Sequence, residues 1–409
     1  MKVPQVLRRF SFSEWGGTET VVWNTTKEMR RQGFSSEILC TSARETPNIE
    51  FRDGIEIRRF EYFYPYFGLN DGARNKLDKK GGDPFSPLLK HHLQCEDDLS
   101  LIHCHTMRRI GGIVRRVAYE KKVPYVISLH GGHFDVPHSE IEDMILPTRK
   151  AFNYGRVFDF FHGTDMYIND AAGIVCVGEN ECVKAKEYYP HKLIRHIPNG
   201  VDVCKYDHGN KERFRKKYNL PSNARILLSV GRIDPQKNQQ LLVELLNTMK
   251  QKDLFLVLIG PITSKTYLTS LNESIRRYGL ENRVLVLGGL PPDAEDLLDA
   301  FAAAEIFLLA SVHEPFGIVV LEAWAASTPV IATNVGGLRT LIDEEETGLK
   351  FEVSNLEGLL RQTRRLLSND TFKRSLAQKG KQKAQTQYSW KAVTDQLIDF
   401  YEEVRGQAR

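Results

Sequence analysis

Two acidic residues stand on either side of a predicted helix start, where a ligand with hydroxyl groups would find hydrogen-bond acceptors. They are Glu314 and Glu322, within the sequence His-Glu-Pro-Phe-Gly-Ile-Val-Val-Leu-Glu. The apolar run Ile306 to Ala310 predicts a buried parallel strand before them, and the apolar run after Gly317 predicts a buried helix. Glu314 is therefore expected at the carboxyl end of a strand, and Glu322 more than one turn inside the helix.

The start of that helix also offers backbone amides. Those near Gly317, Ile318 and Val319 lie in the first turn, where N–H groups lack an intrahelical acceptor and favour an anion. Two carboxylates flanking such amides suit a ligand that carries both hydroxyl and phosphate groups. The alternative is a structural role, in which Glu314 only complements the helix dipole.

Two cations follow the first predicted strand of the second half, within Gly231-Arg232-Ile233-Asp234-Pro235-Gln236-Lys237. Arg232 is expected where the strand ends, and Lys237 early in the next helix, a position that the helix dipole disfavours for a lysine. A guanidinium and an ammonium at one sheet edge suit a diphosphate. The alternative is two ordinary surface cations, but the predicted Glu314 loop at the same edge favours the ligand interpretation.

The first half has two weaker signals at strand ends. Gly16 and Gly17 follow a predicted strand and would let the backbone approach a phosphate, although a flexible turn would need glycines as well. His130 ends another strand and could bond a ligand hydroxyl, although a lone histidine is more often structural. His103 and His105 share a strand face, but no third ligand with metal spacing accompanies them, so no zinc site is predicted.

Short apolar strands alternate with helices along both halves, which predicts two doubly wound α/β domains with parallel sheets. Such sheets bind ligands beyond the carboxyl ends of their strands. The linker is expected at Pro198-Asn199-Gly200. The predicted strands are Val6–Phe10, Ser36–Thr41, Ile55–Phe60, Leu101–His105, Tyr125–His130, Gly173–Val177, Ile194–Ile197, Arg225–Val230, Leu254–Ile259, Val284–Leu287, Ile306–Ala310 and Val330–Thr333; the predicted helices are 18–32, 109–121, 150–170, 237–251, 264–278, 293–303 and 317–327.

The length and composition of the chain exclude several classes of protein. The chain has 409 residues, 41% of them hydrophobic and 26% charged, as expected for a soluble protein of two domains. A net charge of +4 is too small to indicate nucleic acid as a partner. No run approaches the ~20 apolar residues of a membrane span, and no signal peptide is recognised. Six scattered cysteines are expected to be reduced, which favours a cytoplasmic location.

Peripheral contact with the inner face of a membrane is a separate prediction. Basic residues cluster along the predicted helix 109–121, and residues 60–67 are unusually aromatic. Together they could dock on anionic lipid. The alternative is a solvated basic face beside an aromatic loop that stacks on an acceptor sugar.

These motifs resemble the retaining glycosyltransferases of family 4, which have the GT-B fold of two facing Rossmann-like domains. The acidic pair matches the Glu-x7-Glu signature of that family, although Ser327 stands where members usually have glycine. The resemblance spans essentially the whole chain except the region around 60–100, and it implies an N-terminal acceptor-binding domain, residues 1–201, completed by a C-terminal crossover helix, 389–409. Residues 202–388 would bind the donor. Further matching segments are Gly16-Gly17-Thr18-Glu19, His130-Gly131, Ile197 to Asp202, Gly231 to Lys237, Asn334 to Gly337 and Glu346 to Gly348.

The resemblance also implies roles for individual residues. Arg232 and Lys237 would bind the donor diphosphate, Glu322 the ribose and Glu314 the sugar. Backbone amides of Phe316, Gly317, Ile318 and Val319 would contact sugar and phosphate oxygens. His130 would touch the donor sugar, and Gly16 and Gly17 the phosphates or the acceptor.

The predicted reaction moves a sugar from a nucleotide-diphosphate donor to the hydroxyl of a carbohydrate, lipid-linked or small-molecule acceptor. It would serve glycan, polysaccharide or glycolipid assembly. No Asp-x-Asp occurs in the chain, so no metal or other cofactor is expected. Alternatives are a GT-B epimerase or phosphorylase, and a non-catalytic nucleotide-sugar-binding relative.

Overall fold

The chain forms two compact units. A computed structural model describes residues 1–12, 16–79, 81–131, 134, 144–149, 151–291 and 294–407. Unit 1 comprises Met1–Pro198 with Val393–Arg409, and unit 2 comprises Asn199–Ala392. Within the described ranges, no helix combines the length and apolar character that crossing a membrane requires.

Unit 1 contains an eight-stranded sheet and a small two-stranded sheet. Its strands are β1 (Gln5–Arg9), β2 (Ile38–Thr41), β3 (Asn48–Arg52), β4 (Ile55–Phe60), β5 (Tyr66–Phe67), β6 (Ile102–Cys104), β7 (Tyr125–Leu129), β8 (Phe152–Asn153), β9 (Gly173–Cys176) and β10 (Leu193–His196). The large sheet has the order β10-β9-β7-β6-β1-β2-β4-β3. Its paired strands are parallel, except that β3 pairs antiparallel with β4.

Six described helices precede the last helix in unit 1. They are α1 (Gly17–Arg31), α2 (Asp71–Lys79), α3 (Pro87–Cys95), α4 (Arg109–Lys121), α5 (Arg156–His162) and α6 (Glu179–Tyr188), with a 3-10 turn at Leu146–Thr148. The predicted helix 150–170 is wrong in extent. The helical part ends at His162 because Gly163 adopts a left-handed conformation that caps it.

Unit 2 contains a six-stranded parallel sheet of order β13-β12-β11-β14-β15-β16. Its strands are β11 (Arg225–Val230), β12 (Leu254–Ile259), β13 (Val284–Leu287), β14 (Ala304–Leu309), β15 (Val330–Thr333) and β16 (Leu349–Phe351). Its helices are α7 (Val203–Tyr206), α8 (Lys211–Lys217), α9 (Gln239–Met249), α10 (Lys265–Arg277), α11 (Glu295–Ala303), α12 (Ile318–Ala325), α13 (Leu338–Leu341), α14 (Leu356–Ser368) and α15 (Asp370–Gln387).

The last helix, α16 (Trp390–Gln407), begins in unit 2 and continues into unit 1 from Val393. Its apolar face enters the core of unit 1, where Phe400 and Tyr401 are fully buried. Gly173 permits this packing, because a Cβ there would lie 2.7 Å from the Phe400 ring. The helix that begins in unit 2 therefore completes the core of unit 1.

Candidate active site

The loop after β14 holds Glu314 at the carboxyl edge of the second sheet. Two hydrogen bonds fix the loop. The Thr333 hydroxyl donates to the Ser311 carbonyl at 2.6 Å, and the Gly337 amide donates to the Glu314 carbonyl at 2.9 Å. Gly336 has a φ of +48°, and a Cβ on it would lie 2.1 Å from that carbonyl oxygen. Glycine is therefore required at 336 to hold Glu314 in place.

Helix α12 starts with unused amides beside Glu314. Gly317 precedes the helix with a φ of +99°. Among the described residues, none of the backbone amides of Phe316, Gly317, Ile318 or Val319 donates a hydrogen bond to another protein group. Four free N–H groups at a helix start favour a bound anion.

Lys237 lies outside the following helix, which corrects the prediction from the sequence. It ends a 3-10 turn, Pro235–Lys237, and Asn238 adopts a left-handed conformation before α9 begins at Gln239. Asp234 caps the turn by accepting from the Lys237 amide at 3.2 Å. The helix dipole therefore gives no reason to regard this lysine as misplaced.

Lys237 and Glu314 form a direct ion pair. The ammonium nitrogen lies 2.5 Å from Glu314 Oε2, and the two side chains are 14% and 11% exposed. The Ser311 hydroxyl donates to the same oxygen at 3.3 Å. An ammonium has three protons, so this pairing leaves Lys237 further donors for a ligand oxygen. The two residues belong to different loops, and the fold brings them together.

Gln236 connects the cation loop to the acidic loop. Its side-chain oxygen accepts from Arg232 Nη2 at 2.8 Å, and its side-chain nitrogen donates to the His313 carbonyl at 3.0 Å. Its own carbonyl accepts from the Val312 amide at 2.8 Å. The Arg232 side chain remains 46% exposed, with Nε 3.4 Å from an oxygen of Asp234. Arg232 is thus held by Gln236 and Asp234 while its side chain remains open to solvent.

Glu322 lies on α12, one turn beyond the free amides. It is half-buried and hydrogen-bonded to Tyr206 of α7, and burial raises its pKa to about 7. Lys205 and the Tyr206 bond oppose that rise. Once ionised, this carboxylate can accept hydrogen bonds from two hydroxyl groups.

In unit 1, His130 follows β7 and is partly exposed. Its Nε2 lies 3.1 Å from His105 Nδ1, and burial lowers the pKa of His130 to about 4. The next amide, that of Gly131, donates to Glu181 of α6 at 3.0 Å. His130 is therefore a neutral side chain whose orientation is fixed by its hydrogen bond with the buried His105.

Gly16 and Gly17 start α1, as their position after β1 predicted. Gly16 has an extended backbone, and the Glu19 side chain accepts a hydrogen bond from its amide, as in a capping box. That amide is thus already used inside the protein. Ser13–Trp15, Gly132 and His133 lie outside the described residues.

Glu37, His92 and Glu96 gather potential metal-ligand atoms within 4.8 Å of one another. The Lys2 ammonium pairs with Glu96 and lies 3.6 Å from Glu37 Oε1, while Arg58 approaches His92 Nδ1 at 3.5 Å. Two cations already compensate these acids, which opposes a divalent ion there.

Several site residues were missed from the sequence. Gln236 and Ser311 could have been noticed, because each lies within a few residues of a predicted site residue. Tyr206 and Glu181 carried no such signal, since each reaches the site from a distant segment.

Comparisons with known proteins decide the family. Residues 15–205 match the family described as Glycosyltransferase Family 4, and residues 210–383 match the family described as Glycosyl transferases group 1. The chain belongs to these glycosyltransferases. The D-inositol 3-phosphate glycosyltransferase of Saccharomonospora viridis is 27% identical over 410 residues, covering 96% of this chain and 90% of the relative.

Solved structures of glycosyltransferases share the fold. A glycosyltransferase from Rickettsia africae superposes with a TM-score of 0.74 at 18% identity, over 98% of both chains. Anabaena HepE, in a complex with UDP-glucose, superposes with a TM-score of 0.69 at 17% identity, over 98% of this chain and 100% of HepE. The predicted α/β fold class, GT-B with two Rossmann-like domains, is confirmed, as is the predicted glycosyltransferase activity.

Proposed function

We propose that this glycosyltransferase moves a sugar from a nucleotide-diphosphate donor to an acceptor hydroxyl, with retention of configuration and without a metal ion. The observation that carries the proposal is the cluster at the edge of the second sheet. It combines the Lys237–Glu314 pair at 2.5 Å, the half-exposed Arg232 and the free amides from Phe316 to Val319. The UDP-glucose bound to HepE supports a donor of this class.

The roles follow from charge and position. Arg232, Lys237 and the amides of Gly317, Ile318 and Val319 would hold the diphosphate. Glu314 would accept hydrogen bonds from sugar hydroxyls, and Glu322, with its pKa raised to about 7, would accept them from the ribose once ionised. His130 would contact a sugar hydroxyl, and the amide of Gly17 would lie near phosphate or acceptor.

In the transfer, the bond between the anomeric carbon and the phosphate oxygen breaks, and a bond to the acceptor oxygen forms on the same face. The acceptor proton passes to the departing phosphate. Negative charge grows on that phosphate, so cations placed beforehand lower the barrier more than they strengthen ground-state binding. Arg232 and Lys237 supply that charge in place of a metal.

A donor panel tests the function. Release of nucleoside diphosphate and of sugar is measured with UDP-, GDP- and ADP-sugars, for the wild type and for the Arg232→Ala/Lys237→Ala double variant. One donor should react, and the double variant should lose about 10³-fold or more of that rate. The matched control, Lys252→Ala, removes an exposed cation of the same unit and should keep the wild-type rate.

Two outcomes would overturn the proposal. A wild-type rate from the double variant would remove the cations from the mechanism. Sugar release that requires inorganic phosphate, or a donor converted without any transfer, would indicate a phosphorylase or an epimerase instead.

We further propose that an anionic lipid surface is a partner of unit 1, through residues other than those first predicted. Helix α4 is not a free basic face: Arg109 is only 2% exposed and pairs with Asp159 at 2.8 Å, and Arg115 pairs with Asp170 at 2.5 Å. Tyr64 of the aromatic run is buried. The predicted basic helix therefore contributes much less charge than its sequence indicates.

Helix α5 offers a better surface. Val157, Phe160 and Phe161 stand at i, i+3 and i+4 on one face and are 59%, 83% and 65% exposed. The opposite face packs inward, where Phe158 stacks on Phe85 at 4.7 Å. The exposed Arg156 begins the same helix, so apolar rings and a cation lie together, as an anionic bilayer surface favours.

Vesicle flotation tests this partner. The wild type should float with vesicles of phosphatidylcholine and phosphatidylglycerol, and Phe160→Ser/Phe161→Ser should not. Phe51→Ser, a 70% exposed ring on the edge strand β3, should float like the wild type. A wild type that ignores both neutral and anionic vesicles would refute the proposal; self-association that the double variant abolishes would point to a second copy as the occupant.

A further inference from the structure

A continuous row of polar side chains runs through the interior of unit 1 and ends at His130. All but His130 itself are buried, so each polar atom needs a partner inside the protein. The row is assembled from four separate segments of the chain. Its members are Ser128, His103, Tyr401, Gln5, His105 and His130.

Gln5 sets the direction of the row. Its side-chain nitrogen lies 3.2 Å from the Val3 carbonyl, which can only accept. The Ser36 hydroxyl donates to the same carbonyl at 2.7 Å. The amide nitrogen of Gln5 must therefore face Val3, and its oxygen must face His105 Nε2 at 2.8 Å.

The direction passes from Gln5 to His130. Since the Gln5 oxygen can only accept, His105 carries its proton on Nε2 and leaves Nδ1 as an acceptor. His130 Nε2, 3.1 Å from that Nδ1, must then be the donor. In its neutral form His130 is left with an unprotonated Nδ1, the only ring nitrogen that this row does not use.

Tyr401, His103 and Ser128 continue the row beyond Gln5. Gln5 interacts with the Tyr401 hydroxyl, which lies 2.5 Å from His103 Nδ1. His103 Nε2 lies 2.7 Å from the Ser128 hydroxyl. Because a hydroxyl can donate or accept, these bonds can run in either direction, and the direction at His130 does not depend on them.

All three rings are neutral across the ordinary pH range. Burial lowers the pKa of His103 to about 3, that of His130 to about 4 and that of His105 well below its usual value. A proton added to His105 would occupy Nδ1 and break its bond from His130. The row therefore keeps one pattern of protons while the pH changes.

We infer that Gln5 and His105 are positioning residues that hold His130 as its Nε2–H tautomer, so that Nδ1 accepts a hydrogen bond from a substrate hydroxyl. The inference rests on the proposed contact between His130 and the donor sugar. It adds a specificity rule: the group read by His130 is a hydrogen-bond donor, and a donor sugar that lacks a hydroxyl at that position is rejected.

Nitrogen NMR tests the tautomer without any substrate. In the full chain labelled with ¹⁵N-histidine, long-range proton–nitrogen correlations should show His130 as the neutral Nε2–H form, unchanged between pH 5.5 and pH 8. The signal is assigned by its loss in His130→Asn. An Nδ1–H form of His130, or titration near pH 6.5, would overturn the inference.

Two variants distinguish an effect on the His130 tautomer from a general effect on folding. Gln5→Leu removes the acceptor of His105 and should mix the tautomers of His105 and His130. Tyr401→Phe removes a hydroxyl from the far side of Gln5, so it should alter the His103 signals and leave those of His130 unchanged. Equal effects of both variants on His130 would contradict the direction derived from Val3.

Activity gives a second readout. With the donor that the panel identifies and its deoxy analogues, Gln5→Leu should lose about tenfold in kcat/KM for the complete donor, as one oriented hydrogen bond predicts, and should discriminate less against one analogue. Tyr401→Phe should keep the discrimination. If no nucleotide sugar reacts at all, the proposed function fails while the NMR result still decides the tautomer.

Discussion

The carboxyl edges of the two sheets use opposite chemistry. In unit 2, Lys237, Arg232 and Glu314 carry full charges within two adjacent loops. In unit 1, His130 is neutral and backed by other neutral groups. A diphosphate that gains charge in the transition state needs cations, whereas a sugar hydroxyl needs an acceptor of defined direction. This difference fits the proposed division of roles, in which unit 2 would stabilise the leaving group and His130 of unit 1 would accept from a sugar hydroxyl.

The largest effect is expected in the charged site. Glu314→Gln keeps the side chain's size but removes the negative charge that pairs with the Lys237 ammonium, and it should weaken the proposed contact with the sugar. We expect a loss of about 10²-fold in kcat with the fold intact, measured with the donor that the panel identifies. Glu345→Gln, which changes an exposed acid of the same unit, should have no effect. An unchanged kcat in Glu314→Gln would place the sugar elsewhere.

The neutral row makes unit 1 sensitive to acid. The folded pKa of His103, about 3, lies below its unfolded value near 6.5. Its contribution to stability is therefore complete above pH 6.5 and is lost as the pH falls toward 3. Lowering the pH from 7 to 5 should therefore reduce the free energy of unfolding by on the order of 2 kcal/mol through His103.

Denaturant unfolding of the whole chain at several pH values measures that loss. His103→Gln should flatten the dependence of unfolding free energy on pH, and His191→Gln, which changes an exposed histidine, should not. The same slope in all three proteins would show that His103 is protonated in the folded state.

The smallest effect concerns Glu322. Its folded pKa, about 7, lies above the usual value of 4.5, so its protonated form favours the folded state, and that contribution is lost as the pH rises from 4.5 through 7. Binding a ribose diol favours the ionised form. The nucleotide-diphosphate sugar that the panel identifies, whose phosphates do not titrate in this range, should therefore bind about tenfold more tightly at pH 8 than at pH 6.

Calorimetry with wild type and Glu322→Gln checks this linkage. The variant should bind more weakly than the wild type at pH 8, and its affinity should not change with pH. A wild-type affinity independent of pH would remove Glu322 from the ribose site.

Local patterns predicted more of unit 2 than of unit 1. The bounds of β11, β12, β13 and β15 follow from apolar runs between turn residues, and the structure has them as predicted. Strand β3 was missed because it is a short edge strand, whose alternating Ile49 and Phe51 are exposed and so do not stand out as core residues. The helix around 150–170 was overextended because the chain is helical only between Gly155 and Gly163, and neither glycine was taken as a boundary.

The candidate site divides in the same way. Glu314, Arg232 and Lys237 could be predicted to lie together, because their loops follow neighbouring strands of one sheet. The row behind His130 could not, since Gln5 and Tyr401 stand at opposite ends of the chain and only the final helix brings Tyr401 into unit 1. Shared strand faces did predict that His103 and His105 are neighbours, and their rings lie 4.0 Å apart.

Proton NMR of the first-formed product tests the central claim most directly. The donor that reacts in the panel is mixed with an acceptor and excess EDTA, with wild type and with Arg232→Ala/Lys237→Ala in parallel. We expect a wild-type product with the anomeric configuration of the donor, formed at the same rate with and without EDTA, and almost none from the double variant. An inverted product, a rate abolished by EDTA or a fully active double variant would contradict it.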